Sequence, residues 1–308
     1  MALTKIDDLI NASASGNTFK ASWTKQSYQV AALSAGIWYD FSQFYGSPTA
    51  ETFAGAALTA TPCISPGTTS GINGATATYI PNCLPTGGNV SPATKIIIGI
   101  DALTSSATGA PGWLLLVDML MYYPGINMNI NTQQALINNV ALPRYTSGNG
   151  VMMYLVANNS IGSTASNIHP YGFNYTNSYG VAGKVLPFTV ACMASALPNQ
   201  IVHSNVTAAN VYGPFLPLLG GDQGVRSVQS FQITAATNVV STATLVLCRP
   251  IAQIPISTVH VTSSRDFVYN MPSTQRIYDG AYLNFLFLAG GAVAKNTNFF
   301  ATLNFMWG

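Results

Sequence analysis

The sequence predicts an all-β protein, a jelly roll or β-sandwich with a short N-terminal helical arm and long loops. Many strand-length apolar segments are separated by loops rich in Gly, Pro and Asn. No strand alternates with a long helical pattern, which disfavours a doubly wound fold. Residues 276–308 carry two aromatic-rich, proline-free runs, 281–288 and 299–307, around a segment holding Gly290, Gly291, Lys295 and Asn296. In the second run Phe299, Ala301, Leu303, Phe305 and Trp307 share one face, and Phe300, Thr302, Asn304 and Met306 the other. The pair reads as a β-hairpin completing a core sheet. A buried helix fits poorly there, because Phe and Tyr dominate and caps are missing.

Taken in order, residues 4–12 form the one convincing amphipathic helix. Thr4 is its cap, Asp7 and Asp8 sit in the first turn, and Ile6, Leu9 and Ile10 make an apolar stripe. So short a helix needs a surface to lie on. Residues 13–22 read as an extended linker, which makes 1–22 an arm and 23–308 the sandwich body. The arm docks either on its own domain or on a neighbouring subunit, with Ile6, Leu9, Ile10, Phe19 and Trp23 as candidate interface residues. Strands are expected at 28–33 and 36–41, followed by a long loop at 51–91. Residues 95–102 and 113–123 are strands, the second buried on both faces, with Asp118 as the principal candidate for a buried charge.

A helical turn is expected at 133–137, then strands at 151–157, 173–175 and 186–193 and a weak one at 201–206. The segment 212–224 reads as an apolar connector lying over the core. Residues 225–234 and 242–248 read as a hairpin turning near Asn238, and 256–261 as a further strand. A helical turn is expected within 265–273, ending at Pro272. A division of the body into two sub-domains near residue 145 is the alternative to a single sandwich.

Only 6% of the 308 residues are charged, against about 25% in an average soluble protein. The surface must therefore be built of Ser, Thr, Asn, Gln and backbone, or be covered by other protein. No apolar run approaches the length of a spanning helix, and the strands are too few for a membrane barrel. No membrane partner is expected. Asp7 and Asp8 stand where a signal peptide would be apolar, so general secretory export is not expected. Cys192 and Cys248 read as buried thiols, and Cys63 and Cys83 as an unpaired couple in loop sequence.

The search for chemistry returns little. His169, His203 and His260 stand apart with no second ligand at metal spacing. There is no G-x-S-x-G elbow and no phosphate loop around Gly183 and Lys184. Asp222, among Gly220, Gly221 and Gly224, is too few oxygen donors for calcium. Asp101 and Asp118 fit adjacent strands, where a structural role outweighs a catalytic pair. Arg144, Arg226, Arg249, Arg265 and Arg276 are expected to pair with acids or backbone carbonyls at loops and subunit contacts. Basic residues occur singly, without the stripe that nucleic acid requires. No enzyme, cofactor or nucleic-acid partner is expected.

In texture the chain resembles virion structural proteins of tailed bacteriophages, above all head decoration (cement) proteins. The likeness rests on MALTKIDDLI, GIWYDFSQ, LPRYTSGNGVMMYLVA, GPFLPLLGGDQGVRSVQSFQIT and NTNFFATLNFMWG. It implies a jelly-roll or sandwich protein, commonly a homotrimer, made in the host cytoplasm and seated on the capsid exterior. There it would brace the joints of the major capsid protein against packaged DNA. It supplies no motif that carries site residues over. A receptor- or glycan-binding surface module and a shell-building subunit with two jelly rolls are the alternatives.

Overall fold

A computed structural model describes residues 5–27, 31–65, 82–105, 108–204, 213–269 and 275–308. The chain opens with α1 (Ile6–Ala14), β1 (Thr18–Gln26), β2 (Trp38–Asp40), β3 (Gly46–Ser47) and β4 (Thr61–Pro62). Two long strands follow, β5 (Lys95–Thr104) and β6 (Gly112–Asn127). Then come β7 (Gln134–Ala135), β8 (Met152–Ala157), β9 (Ser166–Ile168), β10 (Asn174–Asn177), β11 (Lys184–Val185) and β12 (Val190–Cys192). The last third holds β13 (Val225–Phe231), β14 (Thr242–Ile256), β15 (Ser263–Asp266), β16 (Arg276–Ile277), β17 (Leu283–Ala289) and β18 (Asn298–Trp307).

Two six-stranded sheets form the body, as the all-β sandwich expectation requires. The first runs β15-β5-β18-β1-β3 with β16 also on β5, and the second β2-β17-β6-β14-β8 with β4 also on β6. One apolar cluster joins them: Trp23, Ile97, Leu303 and Phe305 from the first sheet meet Leu114, Leu116, Phe285 and Phe287 from the second. Aromatic rings bridge the layers, with Trp23 5.0 Å from Phe285 and Phe287 4.7 Å from Phe299. The alternation read in the last strand holds, since Phe299, Ala301, Leu303 and Phe305 are all buried on the core side. The other face of the second sheet is also covered. Val117, Met119, Tyr154 and Val246 pack there against Phe53, Cys63, Cys83 and Ile201 from the loops. Burial on both faces is why β6 reads as a near-continuous apolar run.

Several expectations are corrected. Of the expected linker 13–22, residues 18–22 are instead the start of β1, which pairs along its length with β18 because alternating Ala21 and Trp23 belong to the core. The strands β17 and β18 do not form a hairpin; they lie in opposite sheets, each filling its own side of the core. Likewise β13 and β14 fall in different sheets, because the ten residues between them let the chain cross over. The turn expected at 133–137 is extended as β7, where the Gln134 side chain bonds both the N–H and the carbonyl of Asn127. Residues 257–261 are not a strand, and the 265–273 segment begins as β15. Asp101 on β5 and Asp118 on β6 belong to different sheets and are not neighbours on adjacent strands. No boundary falls near residue 145, since β5 and β6 pair with β18, β14 and β17 from the far half. Thr4, much of the 51–91 loop, the starts or ends of the 28–33 and 201–206 segments, and Pro272 lie outside the described residues. Of the 201–206 segment, Ile201 makes only an isolated bridge to Val156. The 213–224 connector does lie on the core, through buried Leu216 and partly buried Leu218. Cys63, Cys83, Cys192 and Cys248 are buried free thiols.

The interior also holds polar groups with satisfied bonds. Lys25 donates to the carbonyls of Ser42 and Phe44 at 3.1 and 2.9 Å. Asp40 accepts from Ser42 N–H and the Tyr154 hydroxyl, each at 2.9 Å. Desolvation lifts the Asp40 carboxyl from 3.8 to about 6, against those two hydrogen bonds. Desolvation also lowers His203 from 6.5 to about 4, against its bond with the Pro214 carbonyl.

Replacing Trp23 with Ala is expected to cost about 3–5 kcal/mol of unfolding free energy in urea titrations. A loss under about 1 kcal/mol would remove Trp23 from the core account. The two buried titrating groups act in opposite directions. Below pH 4 Asp40 is protonated in both states, and as pH rises to 6 only the unfolded chain ionises, so its contribution falls. For His203 the unfolded chain alone protonates as pH drops from 6.5 to 4, so stability is lost toward acid. Relative to wild type, Asp40→Asn should therefore gain stability from pH 4 to 6, and His203→Gln should gain from pH 6.5 down to 4. Each relative change is on the order of 2–3 kcal/mol. Thermal melts that stay parallel to wild type across this range would refute the assignment.

Candidate functional site

Asp118 lies at the middle of β6, a strand with neighbours on both sides, and is 1% exposed. A carboxylate there must be paired. Arg144, from the loop between β7 and β8, supplies the partner: Nε donates to Oδ2 at 2.9 Å and Nη2 to Oδ1 at 2.6 Å. Asp118 Oδ1 also accepts the Tyr282 N–H at 2.9 Å. The same guanidinium donates to the carbonyls of Cys63 and Met119. Four of the five N–H donors of the buried fork are thus directed at oxygens. Desolvation raises the Asp118 carboxyl, and the adjacent Arg144 pulls against that rise.

Anchoring Arg144 fixes the residues that follow it. Tyr145 has φ +49°, a left-handed conformation that costs a bulky side chain energy and is held by its surroundings. The Gly148 and Gly150 N–H groups bond to the carbonyls of Tyr145 and Gln223, each at 2.7 Å. Gly150 has φ +67°, and a Cβ built on it would stand 1.3 Å from Arg249 Nη1. Glycine therefore suits both this left-handed backbone and the present path of Arg249. Arg249, on β14 opposite Asp118 in the register, donates to the Asn149 carbonyl at 2.8 Å and lies 5.5 Å from the Tyr145 ring centre.

These residues edge an open cavity of about 740 Å³, completed by 276–279 and 91–93. Arg276 sits 4.5 Å over the Tyr278 ring, and the rings of Tyr145 and Tyr278 meet edge to face at 4.9 Å. The result is a row of Arg249, Tyr145, Tyr278 and Arg276. Among the described residues the one ion pair is Arg144–Asp118, so neither Arg249 nor Arg276 has a carboxylate partner. The cavity's acid, Asp279, accepts from the N–H groups of Val90 and Ser91. The basin thus presents two uncompensated guanidinium groups against one carboxylate already bonded to backbone.

The candidate interface residues divide. Ile6 and Ile10 are 55% and 59% exposed, while Leu9 turns inward with Ala12 onto Ile96, Ile98 and Met306 of the first sheet. The helix therefore docks on its own domain and still shows an apolar edge. Phe19 is partly buried against the core, and Trp23, 1% exposed, is wholly a core residue and available to no partner. The Lys5 N–H bonds to Asp8 Oδ2 at the start of the helix.

The expectation that arginines meet acids or carbonyls holds for Arg144, for Arg226 on Ser147 and Ser178, for Arg249 on Asn149 and for Arg265 on Gln253. The convergence of Arg249 and Arg276 with Tyr145 and Tyr278 is not legible in the sequence. The local signals were the two glycines of SGNG and the Arg-x-Tyr of RIYDG; the separation along the chain hid the rest. Among the described residues no group of three or more His, Cys, Asp or Glu is placed to hold a metal ion.

Removing one partner of the buried pair leaves an uncompensated charge. Arg144→Met is expected to lower unfolding free energy by about 3–5 kcal/mol, and the double variant Asp118→Leu/Arg144→Met to recover most of it. Urea unfolding measures both, and a single-variant loss under about 1 kcal/mol would show the pair to be dispensable. Comparison with known proteins finds no matching family model, curated protein or solved structure, so the reading of the basin rests on its own chemistry.

Proposed function

We propose that the protein is a structural subunit working through permanent assembly: a virion decoration protein that, as a homotrimer, binds the capsid exterior and braces the major capsid protein. The observation that carries this reading is the distribution of charge. Of twenty charged side chains, Lys25, Asp40, Glu51, Lys95, Asp118 and Arg144 are buried. Fourteen remain for an accessible surface of 12411 Å². Few charges need desolvating when such a surface is covered, which favours large permanent contacts over a free monomer. Exposed Ile6, Ile10, Tyr45, Tyr171, Val240 and Tyr269 add apolar area of the kind such contacts use. The resemblance in sequence texture to decoration proteins supplies the setting.

Native mass spectrometry of the full chain at low micromolar concentration is expected to give a single stable trimer. The apolar edge of α1 is the proposed shell contact. Ile6→Ser/Ile10→Ser should therefore keep the trimer and lose co-sedimentation with capsids. A clean monomer from the wild-type chain would contradict the reading.

A further inference from the structure

The basin at Arg249, Tyr145, Tyr278 and Arg276 has the features of a ligand site, and nothing in an assembly role requires it. We infer that it binds an anionic saccharide, a sugar unit bearing a carboxylate or sulfate. Three observations lead there.

The first is charge. Arg249 and Arg276 form no ion pair, and Arg144 behind them is neutralised by Asp118. Two guanidinium groups held in place without a carboxylate present forked donors suited to an oxyanion. Arg276 is braced over Tyr278, and Arg249 is aligned by Asn149 and the Tyr145 ring. Arg249 thus has little rotamer freedom left to lose on binding, while Arg276 is exposed and rests on the Tyr278 ring.

The second is construction. The left-handed Tyr145, the left-handed Gly150 beside Arg249 and the buried Arg144–Asp118 anchor all serve one short loop, 143–150. Local strain that the surroundings must hold in place marks functional segments more often than plain turns.

The third is shape and lining. A concavity of about 740 Å³ is the size of a small-molecule site rather than a protein–protein contact. Beside the arginines and tyrosines, its wall offers Ser91, Thr146, Ser147 and Asn149. Hydroxyls, an amide and aromatic rings match a polyol carrying one charge better than a lipid or an apolar side chain. Nucleic acid would need a basic track leading away from the basin, and basic residues elsewhere occur singly.

Isothermal titration of the full chain with 3′-sialyllactose, a sulfated heparin disaccharide, lactose, ATP and sodium sulfate tests this directly. At least one of the two anionic saccharides should bind, more weakly as salt is raised, with lactose and sulfate giving no comparable heat. Arg276→Gln and, separately, Arg249→Gln should each weaken that binding about tenfold or more, with thermal melts confirming that both variants fold. Four results would overturn the inference. They are no binding by either anionic saccharide, equal binding of lactose, binding of sulfate or ATP at least as tight, and saccharide binding unchanged in both variants. If Arg249→Gln fails to fold, exposed Arg276 at the sheet edge decides the matter alone.

Discussion

The ion pair between Asp118 and Arg144 is the interaction on which the functional half of this molecule depends. A carboxylate at the centre of a strand covered on both faces is costly unless every lone pair is used. Here Arg144 takes both oxygens, Tyr282 N–H adds a third bond, and two further guanidinium donors reach the carbonyls of Cys63 and Met119. Three distant stretches of chain are thereby tied to one point on β6: the loop after β4, the loop before β8 and the entry to β17. A hydrophobic replacement would satisfy stability as well. The pair additionally sets the register of the loop 143–150, and with it the positions of Tyr145, Gly150 and Arg249.

A common charge economy runs through the fold. Lys25 caps carbonyls of the 42–49 turn, Asp40 holds Ser42 and Tyr154, and Glu51 accepts from the Thr52 and Phe53 N–H groups and from the Tyr282 hydroxyl. Each of these charges organises a loop against the outer face of the second sheet or the end of the sandwich, where backbone groups cannot pair with a neighbouring strand. The cost is a surface with few charges to keep copies apart. That cost becomes an advantage if the surface is covered by neighbours, which links the interior polar chemistry to the proposed assembly role. The basin stands out as the place where two arginines without a carboxylate partner line one cavity.

What the sequence disclosed follows from the range of the forces involved. Alternation in 299–307 revealed which residues face the core, because side-chain period depends only on the strand itself. The continuous apolar run of β6 revealed burial on both faces, and Asp118 within it stood out as a charge needing a partner. Strand partners were not legible. Proximity in sequence made 281–288 and 299–307, and likewise 225–234 and 242–248, look like hairpins, whereas the first pair divides between the two layers and β13 joins a separate four-stranded sheet with β11, β10 and β7. Trp23 was misplaced for the same reason: alternation in 18–26 is short and polar at its start, and only pairing with β18 shows it to be a strand. The site was half visible. Arg144 and its neighbours could be named one by one, but the meeting of Arg249 and Arg276 with two tyrosines is set by sheet topology that no local pattern encodes.

If the buried pair seats the basin loop, removing it should loosen that loop before the sandwich. Hydrogen–deuterium exchange of Arg144→Met against wild type reads this residue by residue. The expected result is faster exchange at 144–151, at Cys63 and Ser65 and at Tyr282, in excess of the uniform rise that the lost global stability gives β5 and β18. Acceleration of the loop no greater than that of β5 and β18, or no change in the loop, would contradict the claim that Asp118 and Arg144 hold the basin in place.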